Sequence, residues 1–190
     1  MKDVEIEIQV KLGDVSKLLE FLKKHASFKG EKHQVDEYFS PAHRKFLDVR
    51  PVKEWLRLRD SDGKYSINYK NWYYDANGKS DYGDEYESKL ENSDSLKKIL
   101  KALNFSSLVI VDKNRKIWVY KDYEVAIDSV KGLGEFVEIE FIGETKGVDP
   151  AHVTDEMIGF LKKVGCGKIE RNYTGYPYQL LFGEGGYEIY

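Results

Sequence analysis

The alternation of charged and aliphatic residues at the start of the chain is the feature that most constrains its fold. In the segment "DVEIEIQVKL", aliphatic residues occupy every second position, and charged or amide residues lie between them. A period of two residues predicts a β-strand, because successive side chains of a strand point to opposite faces of the sheet. The charged face would carry Glu5, Glu7, Gln9 and Lys11. A face exposed to solvent is the simplest explanation of this strand taken alone.

The same alternation recurs in later segments, and in these segments the charges are sorted by sign. "WLRLRD" places only arginines opposite its leucines, whereas "FVEIEF" places only glutamates opposite its apolar residues. Further basic positions follow in "YSINYK" and "VDKNRK", and further acids follow in "DEYES". A surface that only needs to be soluble is expected to mix polar residue types. The sorting therefore indicates that these faces line a common space with a function.

The residue types on these faces point to metal and phosphate. Two carboxylates at positions i and i+2 of a strand lie roughly 7 Å apart and can share hydrated divalent cations such as Mg²⁺ or Mn²⁺. Bases that converge on one space would repel one another unless a polyanion lay between them, and arginine side chains bind phosphate oxygens with two hydrogen bonds. The candidate bases are Arg57, Arg59, Lys70, Lys113 and Arg115. Carboxylates on one wall and bases on another predict a polyphosphate site.

The charged faces can meet only if the sheet curls into a closed barrel or tunnel, with its aliphatic faces turned outward. Turn signals such as "SDGK" join most neighbouring strands as hairpins, so the sheet is predicted to be mainly antiparallel. Three segments have the period of amphipathic helices that would cover the aliphatic faces: "GDVSKLLEFLKKHA", "SDSLKKILKALNF" and "DPAHVTDEMIGFLKKVG". We therefore predict an α+β fold with about eight strands around a polar, charged lumen and with helices packed outside.

Length and composition limit the class of protein. The 190 residues fit one domain, which we place at 1–190. The net charge of −3 conceals 30 basic and 33 acidic residues, so no overall field favours nucleic acid or an anionic membrane as a partner. The single cysteine, Cys166, excludes an intramolecular disulfide and agrees with a reducing compartment. Without a membrane-spanning run or a signal peptide, the chain is expected to be cytoplasmic.

The ordered set of charged strands resembles the CYTH family, also called the triphosphate tunnel metalloenzymes. "EIEIQ", "DEYF" and "LRLR" are similar to the family's E-x-E-x-K, D-x-Y-F and L-R-x-R elements, and they occur in the same order. The most specific stretch is "DSVKGLGEFVEIE", which resembles the family's D-x-V-x-x-L-G-x-F-x-E-I-E segment. "NYTGYPYQLL" is similar to the final helix of the cyclase-like members. Each motif is weak alone, whereas the ordered set covers nearly the whole chain.

The resemblance implies an eight-stranded antiparallel β-tunnel that binds a small-molecule triphosphate with one or two Mg²⁺ or Mn²⁺ ions. The metal ligands that it implies are Glu5, Glu7, Asp128, Glu138 and Glu140. The phosphate-binding residues that it implies are Arg57, Arg59, Lys70, Lys113 and Arg115, and Lys11 is a further candidate for this role. In the catalytic roles, Glu5 would orient or deprotonate the attacking water, and Lys70 would neutralise the leaving group. For Glu85 and Glu87, a role in the tunnel and internal salt bridges to the bases both stay open.

Position 9 departs from the family pattern. Where the first strand of the family has lysine, this chain has Gln9, and the next base on that face is Lys11. Lys11 could take the role from roughly 7 Å away. Alternatively, the site could have one cation fewer and hold one phosphate more weakly.

Three functions are compatible with such a tunnel. The leading hypothesis is hydrolysis of inorganic triphosphate or of a nucleoside triphosphate. A class IV adenylyl cyclase, which forms cyclic AMP and pyrophosphate, is the first alternative, although no short motif indicates an adenine pocket. A polyphosphate-binding module without catalysis is the second, because Gln9 departs from the family pattern. Trp55, Trp72 or Trp118 could supply an aromatic platform for an organic group, but packing in the core is the expected role of each.

The four histidines show no metal-ligand spacing and are assigned no role. The C-terminal segment "GEGGYEIY" is expected to be a flexible tail, since it lacks the helix that follows a phosphate-binding loop. A homodimer is compatible with the sequence.

Overall fold

The computed structural model describes residues 4–183 and 186–190, and strands account for nearly half of them. The strands are β1 (Val4–Leu12), β2 (Ser27–Pro41), β3 (Glu54–Ser61), β4 (Lys64–Tyr73), β5 (Tyr82–Leu90), β6 (Phe105–Tyr120), β7 (Tyr123–Val130), β8 (Gly134–Phe141), β9 (Ile169–Asn172) and β10 (Tyr187–Ile189). The α-helices are α1 (Val15–His25), α2 (Asp94–Ala102), α3 (Pro150–Val164) and α4 (Gly175–Phe182). No helix in this described part of the chain is long and apolar enough to cross a membrane.

The first eight strands close into an antiparallel barrel. Their order around it is β1-β5-β4-β3-β2-β6-β7-β8, and β8 pairs back with β1. One edge of β1 is shared, because its first half pairs with β5 and its second half with β9. The opposite edge pairs with β8 and places Glu7 directly opposite Glu140. This closure confirms the predicted eight-stranded antiparallel barrel with helices outside.

The largest hydrophobic core lies outside the barrel, between the sheet and two helices. Ile6, Ile8 and Val10 point outward from β1 and are at most 1% exposed. Leu22 from α1 and Met157 from α3 belong to the same buried cluster. Burial of one such side chain stabilises a fold by about 1.5–3 kcal/mol. The lumen is thereby left to the charged face of each strand, as the alternation predicts.

The hairpin turns and the first helix follow from local sequence. Asp62 and Gly63 join β3 to β4 with φ angles of 51° and 78°, which a two-residue hairpin turn requires. The turn between β6 and β7 falls at residues 121–122, where Lys121 has a φ angle of 54°. The side chain of Asp14 accepts a hydrogen bond from the backbone N–H of Ser16 and so begins α1. These local signals fix the β3–β4 turn and the start of α1.

The C-terminal segment forms a strand, so the predicted flexible tail is wrong for Tyr187–Ile189. These residues are β10, which pairs with β9. The carboxylate of Glu188 accepts a hydrogen bond from the hydroxyl of Tyr173 at 2.7 Å, which ties β10 to the segment before α4. Glu184 and Gly185, which belong to the same predicted tail, lie outside the described residues.

Helix α4 brings a tyrosine to the inner wall of the barrel. Tyr176 is 4% exposed, and its hydroxyl donates to Asp128 Oδ2 at 2.9 Å. Its ring packs edge-on against Phe136, with 5.0 Å between the ring centroids. Because Asp128 belongs to the charged face of β7, this contact connects the C-terminal helix with the lumen.

Candidate functional site

The lumen of the barrel contains two adjoining cavities. The polar cavity is lined mainly by charged side chains of the barrel strands. The aromatic cavity is lined by polar residues and by the rings of Tyr38, Trp55, Trp72, Tyr173 and Tyr176. The residues that line both cavities are Glu7, Arg57, Lys70 and Glu138. A ligand bound at these shared residues would contact both cavities.

The structure brings most of the predicted site residues together. Eight of them line the polar cavity: Glu5, Glu7, Arg57, Arg59, Lys70, Arg115, Glu138 and Glu140. Lys113 lines the aromatic cavity, and its ammonium lies 2.9 Å from Asp128. Lys11 lines neither cavity, since its ammonium lies 4.6 Å from the ring centroid of Phe136 and 6.0 Å from that of Tyr187. Its position does not support the expectation that Lys11 replaces the family lysine.

Three carboxylates of the polar cavity form an acidic row across adjacent strands. Glu7 on β1 lies directly opposite Glu140 on β8, which lies directly opposite Glu124 on β7. Like charges in opposite positions of a sheet destabilise it. Burial, together with Glu7 and Glu124, raises the pKa of Glu140 to about 7. Burial and Glu7 also raise the pKa of Glu5. A divalent cation among these carboxylates would offset their repulsion.

The described residues contain no preformed metal site. In this part of the chain, no group of three or more histidine, cysteine, aspartate or glutamate side chains is arranged to hold an ion. Bases engage the carboxylates instead: Lys70 contacts both Glu5 and Glu7, and Arg115 contacts Glu138. The donor set nevertheless fits Mg²⁺ or Mn²⁺, because both ions prefer carboxylate oxygens. Binding would require Lys70 to release its two glutamates.

Lys70 lies where the two cavities meet. Its ammonium is 2.9 Å from Glu7 Oε1, contacts Glu5, and lies over the ring of Trp72 at 4.3 Å from the centroid. Burial acts against the charge, but Glu5 and Glu7 outweigh it and raise the pKa of Lys70 above its ordinary value. Lys70 is therefore a permanent cation at the border between the cavities.

Arg57 and Arg59 on β3 share a counter-ion on the neighbouring strand. Asp36 accepts hydrogen bonds from Arg59 Nε and Nη2 at 2.6 and 2.7 Å, and Arg57 Nη1 lies 3.7 Å from it. Burial opposes the ionisation of Asp36, but the two guanidinium groups lower its pKa to about 2. The Nε of Arg57 is buried and has no hydrogen-bond partner among the described residues. Arg57 therefore has one unsatisfied donor, and its side chain lines both cavities.

Glu85 combines the two roles that the sequence left open. Both Glu85 and Glu87 line the polar cavity. Glu85 Oε1 lies 3.7 Å from Arg57 Nη2 and accepts a hydrogen bond from Asn68. Burial opposes its ionisation, but Lys70 and Arg57 lower its pKa. Glu85 thus lies in the tunnel and forms an internal salt bridge.

Asp128 is surrounded by donors, which does not support its predicted role as a metal ligand. Its side chain is fully buried. It accepts hydrogen bonds from Lys113 Nζ at 2.9 Å, from Arg115 Nε at 2.7 Å and from the Tyr176 hydroxyl at 2.9 Å. Burial and the neighbouring Arg115 lower the pKa of Lys113 to about 8. The geometry instead supports a role for Asp128 in holding two bases in the lumen.

Sequence reasoning missed three polar or charged residues that line the polar cavity: Lys32, Gln34 and Glu124. On β2, Glu31 and His33 on the opposite face from Lys32 and Gln34 are polar as well, so the two faces show no contrast there. On β7, Ala126 interrupts the charged face between Glu124 and Asp128. Gln34 is 5% exposed, and its Oε1 has no hydrogen-bond partner within the described residues. The inward positions could have been found by counting in twos from Asp36 and Asp128.

Comparison with known proteins identifies the family to which this fold and site belong. The sequence profile of the CYTH domain matches residues 1–177. The chain is therefore a member of the CYTH family, which includes triphosphatases and adenylyl cyclase-like proteins.

Individual relatives agree with this assignment over most of the chain. A protein of Methanocaldococcus jannaschii with the provisional name of an adenylate cyclase is 36% identical over 167 residues, covering 87% of this chain and 91% of the relative. The solved structure of PH1819 from Pyrococcus horikoshii has a TM-score of 0.75 at 24% identity and covers 94% of this chain and 98% of its own. HpAC1 from Hippeastrum is described as having a dominant triphosphatase activity. Its structure has a TM-score of 0.60 at 20% identity, and the match covers 90% of this chain and 91% of HpAC1. The two structures share the fold of this chain.

Proposed function

We propose that the protein is a divalent-metal-dependent triphosphatase that hydrolyses inorganic triphosphate or a nucleoside triphosphate inside the barrel. The observation that carries the proposal is the placement of opposite charges around one lumen. The acidic row is centred on β8. Strand β3, which carries Arg57 and Arg59, is four strands from β8 in either direction, so it lies on the opposite side of the barrel. A polyphosphate with a bound cation is complementary to both walls. The activity described for HpAC1 adds support from within the family.

The bases would bind phosphate oxygens in place of internal carboxylates. Arg59 and Arg115 each place their guanidinium donors on a buried aspartate, so both are held in the lumen without a ligand. Arg57 has a buried donor without a partner among the described residues and is the first expected contact for phosphate. A guanidinium can donate two parallel hydrogen bonds to a phosphate. This wall would therefore bind the triphosphate and orient it along the lumen.

The acidic wall would supply the metal ligands and the base. Glu5, Glu7, Glu138 and Glu140 would hold Mg²⁺ or Mn²⁺, which polarises phosphoryl oxygens when bound. From its position in the polar cavity, the carboxylate of Glu5 would accept a proton from the attacking water. Lys70 would neutralise charge on the leaving phosphate from the border of the two cavities.

A class IV adenylyl cyclase is the second candidate, because the aromatic cavity adjoins the phosphate-binding residues. The rings of Trp55, Trp72 and Tyr38 line this cavity next to Arg57 and Lys70. Aromatic rings can pack against a planar organic group such as a nucleobase. The relative from Methanocaldococcus jannaschii carries the provisional name of an adenylate cyclase. A cyclase would use the ribose hydroxyl instead of water as the nucleophile.

Product analysis distinguishes these functions. The protein is incubated with Mg²⁺ or Mn²⁺ and either inorganic triphosphate or ATP. Release of orthophosphate is expected, whereas cyclic AMP with pyrophosphate would establish the cyclase. Unchanged substrate despite measurable binding would refute both enzymatic functions and leave a binding module.

Two glutamate variants of β8 test the assignment of the metal wall. Glu138→Gln is expected to lower turnover by about 10–100-fold, because it removes a proposed ligand. The control is Glu135→Gln on the same strand, whose side chain is exposed outside the lumen and whose loss should leave turnover unchanged. Wild-type turnover in Glu138→Gln would contradict the assignment.

A further inference from the structure

Gln9, the residue that departs from the family pattern, belongs to a chain of hydrogen bonds that crosses β8, β1 and β9. We define this amide relay as Glu138, Gln9, Asn172 and Thr174. Gln9 Nε2 donates to Glu138 Oε1 at 2.8 Å, and Asn172 Nδ2 donates to Gln9 Oε1. At the far end, the backbone N–H and the hydroxyl of Thr174 donate to Asn172 Oδ1 at 3.1 and 2.9 Å. Thr174 immediately precedes α4, so the relay runs from the lumen to the C-terminal helix.

The orientation of both amides is determined by the two ends of the amide relay. The carboxylate of Glu138 can only accept hydrogen bonds, so Gln9 must present its NH₂ group there. The backbone N–H of Thr174 can only donate, so Asn172 must present its oxygen at that end. The remaining oxygen of Gln9 and NH₂ group of Asn172 then face each other as acceptor and donor. One arrangement of the two amides satisfies all of these contacts.

The sheet register and burial hold the amide relay in place. Gln9 lies directly opposite Glu138 on β8 and directly opposite Asn172 on β9. Gln9 is 9% exposed and Asn172 is 5% exposed, so bulk water competes little for their hydrogen bonds. The second carboxylate oxygen of Glu138 contacts Arg115. The relay therefore fixes one oxygen of Glu138 while the other faces the bases of the lumen.

We propose that Asn172, acting through Gln9, is a positioning residue that orients the Glu138 carboxylate for binding of the divalent cation. This role of Asn172 rests on the proposed function, because that function assigns Glu138 to the metal wall. The pairing with Asn172 also accounts for the presence of glutamine instead of the family's lysine at position 9. A lysine there would have three donors and no acceptor, and it would face the NH₂ group of Asn172. Gln9 and Asn172 are therefore a matched pair.

A double-mutant cycle tests this pairing. Gln9→Lys places donors against the NH₂ group of Asn172, and Asn172→Asp places an acceptor against the oxygen of Gln9, so each single variant breaks the amide relay. The double variant restores a donor and an acceptor as an ion pair and keeps the wild-type net charge. The control is Asn114→Asp, the same amide-to-acid change at an exposed position of β6. Calorimetry measures Mn²⁺ binding, and urea unfolding measures stability.

Each single variant is expected to bind Mn²⁺ about tenfold more weakly than the wild type, because groups that orient metal ligands affect affinity by this amount. The double variant should recover most of the loss, and Asn114→Asp should bind as the wild type. Additive losses in the double variant, wild-type affinity in both single variants, or a wild type that binds no Mn²⁺ would overturn the inference.

Two outcomes separate positioning from other roles. Recovery of stability in the double variant without recovery of Mn²⁺ affinity would overturn the inference, since the amide relay would then only hold the fold together. A wild type whose Mn²⁺ affinity depends on the relay but which releases no product from any triphosphate would refute the proposed function and support the relay.

Discussion

Replacing Asp128 with asparagine keeps the volume of the side chain and removes its charge. Asp128 is fully buried, and its carboxylate accepts hydrogen bonds from Lys113 and Arg115. The amide of the variant would leave these two bases without a full counter-ion, and its NH₂ group would face other donors. Removing one partner of a buried ion pair destabilises a protein by about 3–5 kcal/mol.

The structure sets both the size and the pH dependence of this loss. Glu138 Oε2 lies 3.9 Å from Lys113 Nζ and contacts Arg115, so it retains part of the compensation. We therefore expect a loss near the lower limit, about 3 kcal/mol at pH 7. The pKa of Lys113 is about 8, and removal of Asp128 would lower it further. The folded wild type loses this proton only as the pH rises through 8, whereas the variant has already lost it. The cost should therefore shrink by about 1.4 kcal/mol in total between pH 7 and pH 9.

Urea unfolding followed by tryptophan fluorescence at pH 7 and pH 9 measures both effects. The control is Asp112→Asn on β6, whose side chain is 35% exposed and lies 2.7 Å from His33. Exposed ion pairs contribute about 0–1 kcal/mol, so the control should lose no more than that. A loss below about 1 kcal/mol for Asp128→Asn, or an equal loss at both pH values, would refute the reasoning.

Three further predictions concern the lumen. Melting curves of the metal-free protein should show stability falling as the pH rises from the ordinary carboxyl pKa to about 7, because folded Glu140 holds its proton over that range. Glu140→Gln should reduce this fall, and an unchanged pH dependence would contradict the repulsion within the acidic row. Arg57→Lys should weaken binding of inorganic triphosphate about tenfold by calorimetry, because lysine lacks the planar fork of donors; an equal dissociation constant would exclude a direct contact. The KM for triphosphate should rise above a pH of about 8, where Lys113 loses its proton. Lys113→Arg should abolish that rise, and a rise of the same size in this variant would assign it to another group.

Much of the fold and of the candidate site could be predicted because the period of two residues is a local property. It places each side chain on one face of its own strand, whatever the rest of the chain does. Glu5 and Glu7 on β1, Arg57 and Arg59 on β3, and Glu138 on β8 all reach the lumen for this reason. Prediction from this period failed where the two faces of a strand show no contrast in polarity, as around Gln34.

The alternation of residues by itself determined that this chain forms a barrel with charge inside and apolar residues outside. The tertiary structure decided which acid meets which base, because the stagger of strands around a barrel is not encoded in the period of any one strand. Asp128 was expected to bind metal but is placed among donors, and Lys11 lies beside aromatic rings. In the sequence, Gln9 stands where the family has a cation, yet in the structure it pairs with Asn172, which is 163 residues away in the chain. Contacts of that range exist only after the barrel has closed.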